Sequence, residues 1–347
     1  MEITARFLRA CQRLPVDRTP VWFMRQAGRY MPEYRAIREK YSLLEICRQP
    51  ELAAEITMQP VHALGVDAAI LFADILLPVI PLGLGLDFVK GEGPAIDRPV
   101  RTLSDVHAMK PFCAEDDLGY VMDAIRILRR ELRDIPLIGF CGAPFTLASY
   151  IIEGGPSREF LLTKKMMYGA PDVFHALMER LSDVLVEYIA AQIHAGVQAV
   201  QIFDSWVGAL SPLDYERFVL PYSQKVLAAA QARNVPVIHF GTNTATLLPL
   251  MKRAGGDVFG LDWRIPLEDG WKLLGADVAI QGNLDPVALF APLPELKTRV
   301  QDILRSVDGR PGHIFNLGHG VLQHTPVDSL KAVVEMVHEF EMEAVRI

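Results

Sequence analysis

The stretch "PYSQKVLAAAQARNVPVIHFGTN", residues 221–243, holds one repeating unit of the fold in full. Over 221–234 apolar residues return every three or four positions, as in a helix with one buried face, and Asn234 stands where a helix-ending residue belongs. The run PVIHF that follows is short and largely apolar, which suits a strand covered on both faces of a parallel sheet. It stops at the polar cluster GTN.

The same grammar recurs along the chain. VWFM (21–24) runs into RQAG, AAILFA (68–73) into Asp74, PLIGFC (136–141) into GAP, and AVQIF (199–203) into DSW. Beyond residue 243, VFGL (258–261) runs into DW, VAIQ (278–281) into GNLDP, and HIFNL (313–317) into GHG. VWFM is the weakest of these eight strand candidates. Helical patterns separate most of them, the longest being DVFHALMERLSDVLVEYIAAQIHAG (172–196), and Gly196, Gly255 and Gly275 stand just before later strands. Alternation of this kind predicts βα units around a parallel sheet. Eight strands predict an α/β fold of the (β/α)8 TIM barrel type, as one domain over residues 1–347.

An open doubly wound sheet is the competing arrangement. No GxGxxG follows the first strand, however, and GLGLD (83–87) lacks both the third glycine and a helix. The segment LDFVKGEGPAIDRPVR (86–101), continuing to about residue 115, is rich in turn residues and reads as an excursion from the barrel. Neither an internal repeat nor a linker is evident.

Composition narrows the function. With 347 residues, 50% hydrophobic and 22% charged, the chain is globular, and its net charge of −7 argues against nonspecific nucleic-acid binding. That charge is unevenly spread: residues 1–50 carry +5, so the remainder carries −12. An arginine-biased segment on an acidic protein suggests a local anion site, because the guanidinium fork matches carboxylate or phosphate. Arg6, Arg9 and Arg13, at helical spacing, read instead as a solvated helix face. Four cysteines (11, 47, 113, 141) without short spacing suit a reducing cytosol. Charges interrupt Met1–Pro15, unlike a signal peptide. Asp74, Pro78 and Pro81 make AAILFADILLPVIPLGLGL (68–86) a buried strand and loop rather than a membrane span. A cytoplasmic protein with neither membrane nor nucleic-acid partners is expected.

Active sites of such barrels lie at the C-terminal ends of the strands. Arg25, Asp74, the 141–150 segment, Asp204, Ser205, His239, Asp262, Asn283 and His319 would therefore converge on one mouth. Asp74 sits inside an apolar run, where a carboxylate must find donors or shift its pKa. It either pairs with an arginine, caps a turn, or accepts N–H groups from a ligand. Tyr150 is either a core tyrosine with a satisfied hydroxyl or a ligand contact, and His319, between two glycines at a strand end, is an unusual packing histidine. Ser205 could contact a ligand, cap a helix or turn the chain, but no GxSxG elbow surrounds it. No metal site is expected: after Cys141 the chain has no cysteine.

At this point PVWFMRQAGRYMPEYR, GFCGAPFTLASYIIEGG, IFDSWVGALSP, GLDW, QGNLDP and FNLGHGV, spread over residues 20–320, resemble the uroporphyrinogen decarboxylase family. The resemblance implies a cofactor-free (β/α)8 enzyme, usually a homodimer, that converts uroporphyrinogen III to coproporphyrinogen III by removing CO2 from four acetate side chains. It assigns substrate binding and catalysis to the loop Arg25, Gln26, Ala27, Gly28 and Arg29, and the pyrrole N–H groups to Asp74. Tyr150, Ser205 and His319 become substrate contacts, Arg38 a further family arginine, and Phe203 an apolar residue lining the cleft. Leu43 departs from the pattern, where phenylalanine is usual. Arg25, Asp74, Tyr150 and His319 are the catalytic candidates. An octacarboxylate substrate accounts for the arginine-rich loop, and glycine within it permits close approach.

Two other readings compete. A corrinoid or coenzyme methyltransferase on the same barrel would bring zinc to a His-x-Cys strand end, but this chain reads His239, Phe240, Gly241. A tetrapyrrole carrier without activity could share the arginine loop.

Overall fold

The computed structural model describes residues 3–89, 93–307 and 309–340, leaving Lys90–Glu92 of the 86–101 excursion outside the described residues. Seven parallel strands form one curled sheet, hydrogen-bonded in sequence order: β1 (Ala69–Ile70), β4 (Leu137–Gly142), β5 (Ala199–Asp204), β6 (Val237–Gly241), β7 (Val258–Gly260), β8 (Ala279–Gln281) and β9 (His313–Ile314). The remaining two, β2 (Asp87–Val89) and β3 (Gly93–Ala95), pair antiparallel in a separate hairpin within the excursion read from the sequence. Every residue of β4, β6, β7 and β8 is buried, as runs without polar alternation require.

Helices cover the outer face. The 172–196 pattern forms the helix Pro171–Ala195, whose Phe174, Leu177, Leu181, Leu185 and Tyr188 make a buried stripe. It ends at Gly196, which takes a left-handed conformation with φ 119°. The 221–234 pattern forms Leu220–Gln231, and Asn234 is left-handed three residues later.

VWFM departs from expectation. Only Val21 pairs, in a parallel bridge with Phe315, where Trp22 N–H donates to the Phe315 carbonyl and Phe315 N–H to that of Pro20. The reason lies in the next two donors: Phe23 N–H goes to Gln26 Oε1, and Met24 N–H to Asn316 Oδ1. Side chains thus take the bonds a strand would need. On its other edge, Val21 accepts from Asp67 N–H at 2.8 Å, just before β1.

Arg6 also departs. It is 4% exposed, not solvated, and its guanidinium holds Asp17 through two bonds of 2.7 Å and Asp67 through a third. Asp67 further accepts from Val21 N–H and lies 2.7 Å from His338 Nε2. This buried network ties both ends of the described chain to the floor of the sheet. Arg9 and Arg13 do sit near the surface, bonding the Pro15 and Ala276 carbonyls.

Side-chain direction alternates along each strand. Gln201 and Gln281 point into the sheet's concave side, where Gln281 accepts from Trp22 Nε1 and donates to Gln201 Oε1. Phe203, two residues on, meets Phe140 and Phe240 edge-on at centroid distances of 5.5 and 5.8 Å. The concave side therefore has a polar floor and an aromatic middle layer below the strand ends. Among the described residues, no helix is long and apolar enough to cross a membrane.

Candidate active site

The catalytic candidates come from four elements at the C-terminal rim. Arg25 follows the Val21 bridge and Asp74 follows β1, while Tyr150 sits on the helix after β4, Pro144–Glu153, and His319 follows β9. Arg25 adopts φ 59°, a left-handed conformation that costs a residue with a Cβ about 1–2 kcal/mol. That turn aims its side chain across Gly320, where any added Cβ would collide with Arg25 Cγ at 2.6 Å. Glycine is thus required beside His319 by the path of the arginine.

Asp74 keeps part of its surface open toward the rim but lies deep in apolar surroundings. One carboxylate oxygen accepts Leu76 N–H at 2.8 Å. Desolvation raises its pKa, while the Leu76 bond and the positive charge of Arg25 oppose the rise. Burial likewise raises Tyr150, with the Asp74 charge adding and Arg25 opposing. His319 is lowered to about 4, first by burial and then by Arg25 and Arg264, so it is a neutral imidazole at pH 7. Asp74, Tyr150 and His319 thus all feel the charge of Arg25.

The flanking arginines belong to the same region. Arg29 is exposed, and half-buried Arg38 donates to the Tyr41 carbonyl at 2.6 Å. Cys47 links this side to Asp74: its thiol is pushed up to about 12 by burial, with Asp74 adding and Arg38 opposing. Among the described residues, no carboxylate forms an ion pair with Arg25, Arg29 or Arg38.

The other expected residues divide. Ser205 and Phe203 are half-buried at the end of β5, and Ala27, Gly28 and Leu43 are half-buried near the arginine loop. Gln26 is fully buried, with its side chain committed to Phe23 N–H and the Ala68 carbonyl. Asn283 donates to the carbonyls of Asp262 and Ile265, bracing the rim from below. His239 does not reach the mouth: it bonds the Gly255 carbonyl and packs on Phe259, on the helix-facing side of β6. Strand parity decides this, since Phe240 faces the concave side. Asp204 is buried beneath the rim with one oxygen accepting from Thr146 Oγ1 and the other without a partner, and burial raises it to about 7.

Two residues went unnoticed in the sequence. Trp206 lies against Tyr150 with ring centroids 3.8 Å apart, and Arg264 stands 4.1 Å from the Trp263 ring. No spacing marks them; each simply follows a strand-end motif. No group of three or more His, Cys, Asp or Glu side chains among the described residues is placed to hold a metal ion.

The family model for uroporphyrinogen decarboxylase matches residues 3–340. The chain belongs to the uroporphyrinogen decarboxylase family. Uroporphyrinogen decarboxylases of similar sequence include that of Koribacter versatilis (strain Ellin345), 56% identical over 98% of this chain and 97% of that protein. Another, from Carboxydothermus hydrogenoformans (strain ATCC BAA-161 / DSM 6008 / Z-2901), is 56% identical over 96% and 95%. Among solved structures, a methyltransferase from Methanosarcina mazei shares the fold, with TM-score 0.79 at 19% identity over 98% of this chain and 99% of that one. At that identity the likeness concerns architecture alone. The chain is thus a family decarboxylase on a scaffold that this methyltransferase also uses.

Proposed function

We propose that the chain removes CO2 from the four acetate side chains of uroporphyrinogen III to give coproporphyrinogen III, without a cofactor. The single observation carrying this reading is an arginine group, without an ion-pair partner among the described residues, beside a rim that holds the desolvated carboxylate of Asp74. Arg25, Arg29 and Arg38 would grip the substrate carboxylates through forked hydrogen bonds. Asp74 would receive the pyrrole N–H groups. Protonation of a pyrrole carbon then makes a conjugated iminium, which takes up the electron pair released with CO2. A second proton, delivered to the exocyclic carbon, completes the methyl group, and loss of the first proton from the ring carbon restores the pyrrole, so that each CO2 released consumes one proton. Ionised Asp74 stabilises that cationic ring, an electrostatic effect of the kind that dominates many enzymes.

Arg25 orients the reacting carboxylate through its planar fork. Tyr150, Ser205 and His319 contact the macrocycle, with Phe203 below it and Ala27, Gly28 and Leu43 lining the loop side. We take the Val21 pairing to complete a closed (β/α)8 barrel as the eighth, shortened stave, in one domain. A cytoplasmic homodimer fits the reading.

Anaerobic incubation with uroporphyrinogen, followed by counting the carboxyl groups left on the product, tests it. Full turnover to the tetracarboxylate is expected. Asp74→Asn retains shape and an acceptor for Leu76 N–H but lacks the charge, so turnover should fall on the order of 100-fold or more. Near-normal turnover in that variant would exclude the role given to Asp74. Because the carboxylate form is the working one and its pKa is raised, activity should decline as pH falls toward that raised value.

A further inference from the structure

The rim holds a further cation outside the arginine loop. Arg264, just beyond β7, is exposed, and its guanidinium is fixed on two sides. Nη1 donates to Asp262 Oδ2 at 2.6 Å, and the guanidinium carbon lies 4.1 Å from the centroid of the Trp263 ring. A guanidinium has five N–H donors, and no described residue accepts from the remaining Nε and Nη2 groups. Asp262, 3% exposed, is itself anchored: it accepts Arg264 N–H at 3.0 Å and a bond from Asn243 N–H, while Asn283 holds its carbonyl. The His319 loop presses directly on this unit, since a Cβ at Gly318 would fall 2.6 Å from Trp263 N. The same loop meets the Arg25 side chain at Gly320, so the His319 loop touches both the turn that carries Arg264 and Arg25.

We infer that Arg264 is a substrate-carboxylate subsite on the β7 side of the rim, held in readiness by Asp262 and Trp263, and acting beside Arg25, Arg29 and Arg38 on the bound macrocycle. The inference rests on the decarboxylase reading and specifies how a ring with carboxylates on every edge is held at more than one point. A flexible surface arginine would lose rotamer freedom on gripping an anion, whereas this one has already lost it to the ion pair and the indole face. Asp262 is the positioning residue; it neutralises part of the charge but leaves the outer donors free. Lysine at this position would keep the charge without the fork or the flat stacking face.

The test is steady-state kinetics on Arg264→Gln, Arg264→Lys and Asp262→Asn with anaerobic uroporphyrinogen. Arg264→Gln should raise KM about tenfold with kcat within about threefold of wild type. Arg264→Lys should recover only part of the loss, and Asp262→Asn should raise KM by a smaller factor while its melting curve tracks that of Arg264→Gln. The KM increase should also shrink at high salt, where screening weakens the wild-type contact. A KM for Arg264→Gln within twofold of wild type overturns the subsite. So does a fall in kcat at unchanged KM, which marks a role confined to chemistry. If the wild-type protein itself fails to decarboxylate, the functional reading fails first; a working wild type with an indifferent Arg264→Gln defeats this inference alone.

Discussion

Arg6 and Arg25 lie 19 residues apart in the same arginine-biased segment and meet opposite fates. At the floor of the sheet, Arg6 is buried, holds two carboxylates, and through Asp67 joins Val21 and His338. At the rim, Arg25 is exposed, left-handed in its backbone, and near a carboxylate that it does not pair with. One end of the molecule satisfies its charges and the other keeps them available. Removing a partner from the first should damage stability, whereas disturbing the second should damage turnover.

The largest effect should come from the floor. Arg6→Met leaves Asp67 and part of Asp17 without their cation, and breaking a buried pair by deleting one member costs about 3–5 kcal/mol. Denaturant unfolding should show that loss, while the folded fraction keeps its turnover per molecule. Comparable loss of turnover per folded molecule would mean that floor and rim are coupled.

Next comes Asp204, below the rim, whose uncompensated burial works against folding. Its folded-state pKa of about 7 exceeds the ordinary 3.8, so between those values the folded protein holds a proton that the unfolded chain has released. Stability therefore falls as pH rises from about 4 to 7 and stays low above that range. Asp204→Asn should abolish this part of the slope and be more stable than wild type at pH 8, on the order of a few kcal/mol. Parallel pH–stability curves for the two proteins would show that the carboxyl finds solvation in solution.

The smallest change is confined to geometry. Gly320→Ala places a methyl group against the Arg25 side chain. Displacement of that arginine should lower turnover about tenfold, within the range that misplacement of a positioning group causes, with stability altered by less than about 1 kcal/mol. An unfolding loss without a kinetic effect would reverse the contrast between the two ends.

Much of this architecture was legible in the residues. The 172–196 and 221–234 patterns became helices because their apolar period is unambiguous, and β5 and β6 followed from short, largely apolar runs. Failures arose wherever a distant partner decided the outcome. Arg6 has the spacing of a surface stripe, but Asp67 lies 61 residues away. VWFM has the composition of a strand, but Asn316, 292 residues later, captures its Met24 donor. His239 sits in the middle of β6 and parity turns it outward, and nothing local shows which face of a doubly covered strand is concave. Within the candidate site, the family motifs pointed to Arg25, Asp74, Tyr150 and His319. Arg264 was hidden because its ion pair with Asp262 and its stacking on Trp263 exist only once the turn is formed.

The bridge at Val21 also bears on the order of assembly. Its partners are Asp67 on one edge and Phe315 on the other, and Met24 waits for Asn316. During synthesis Met24, next to Arg25, emerges 292 residues before its partner Asn316. Contacts so far apart in sequence form late and slowly. A nascent or truncated chain that lacks residues 313–317 would therefore carry the arginines without the frame that aims them.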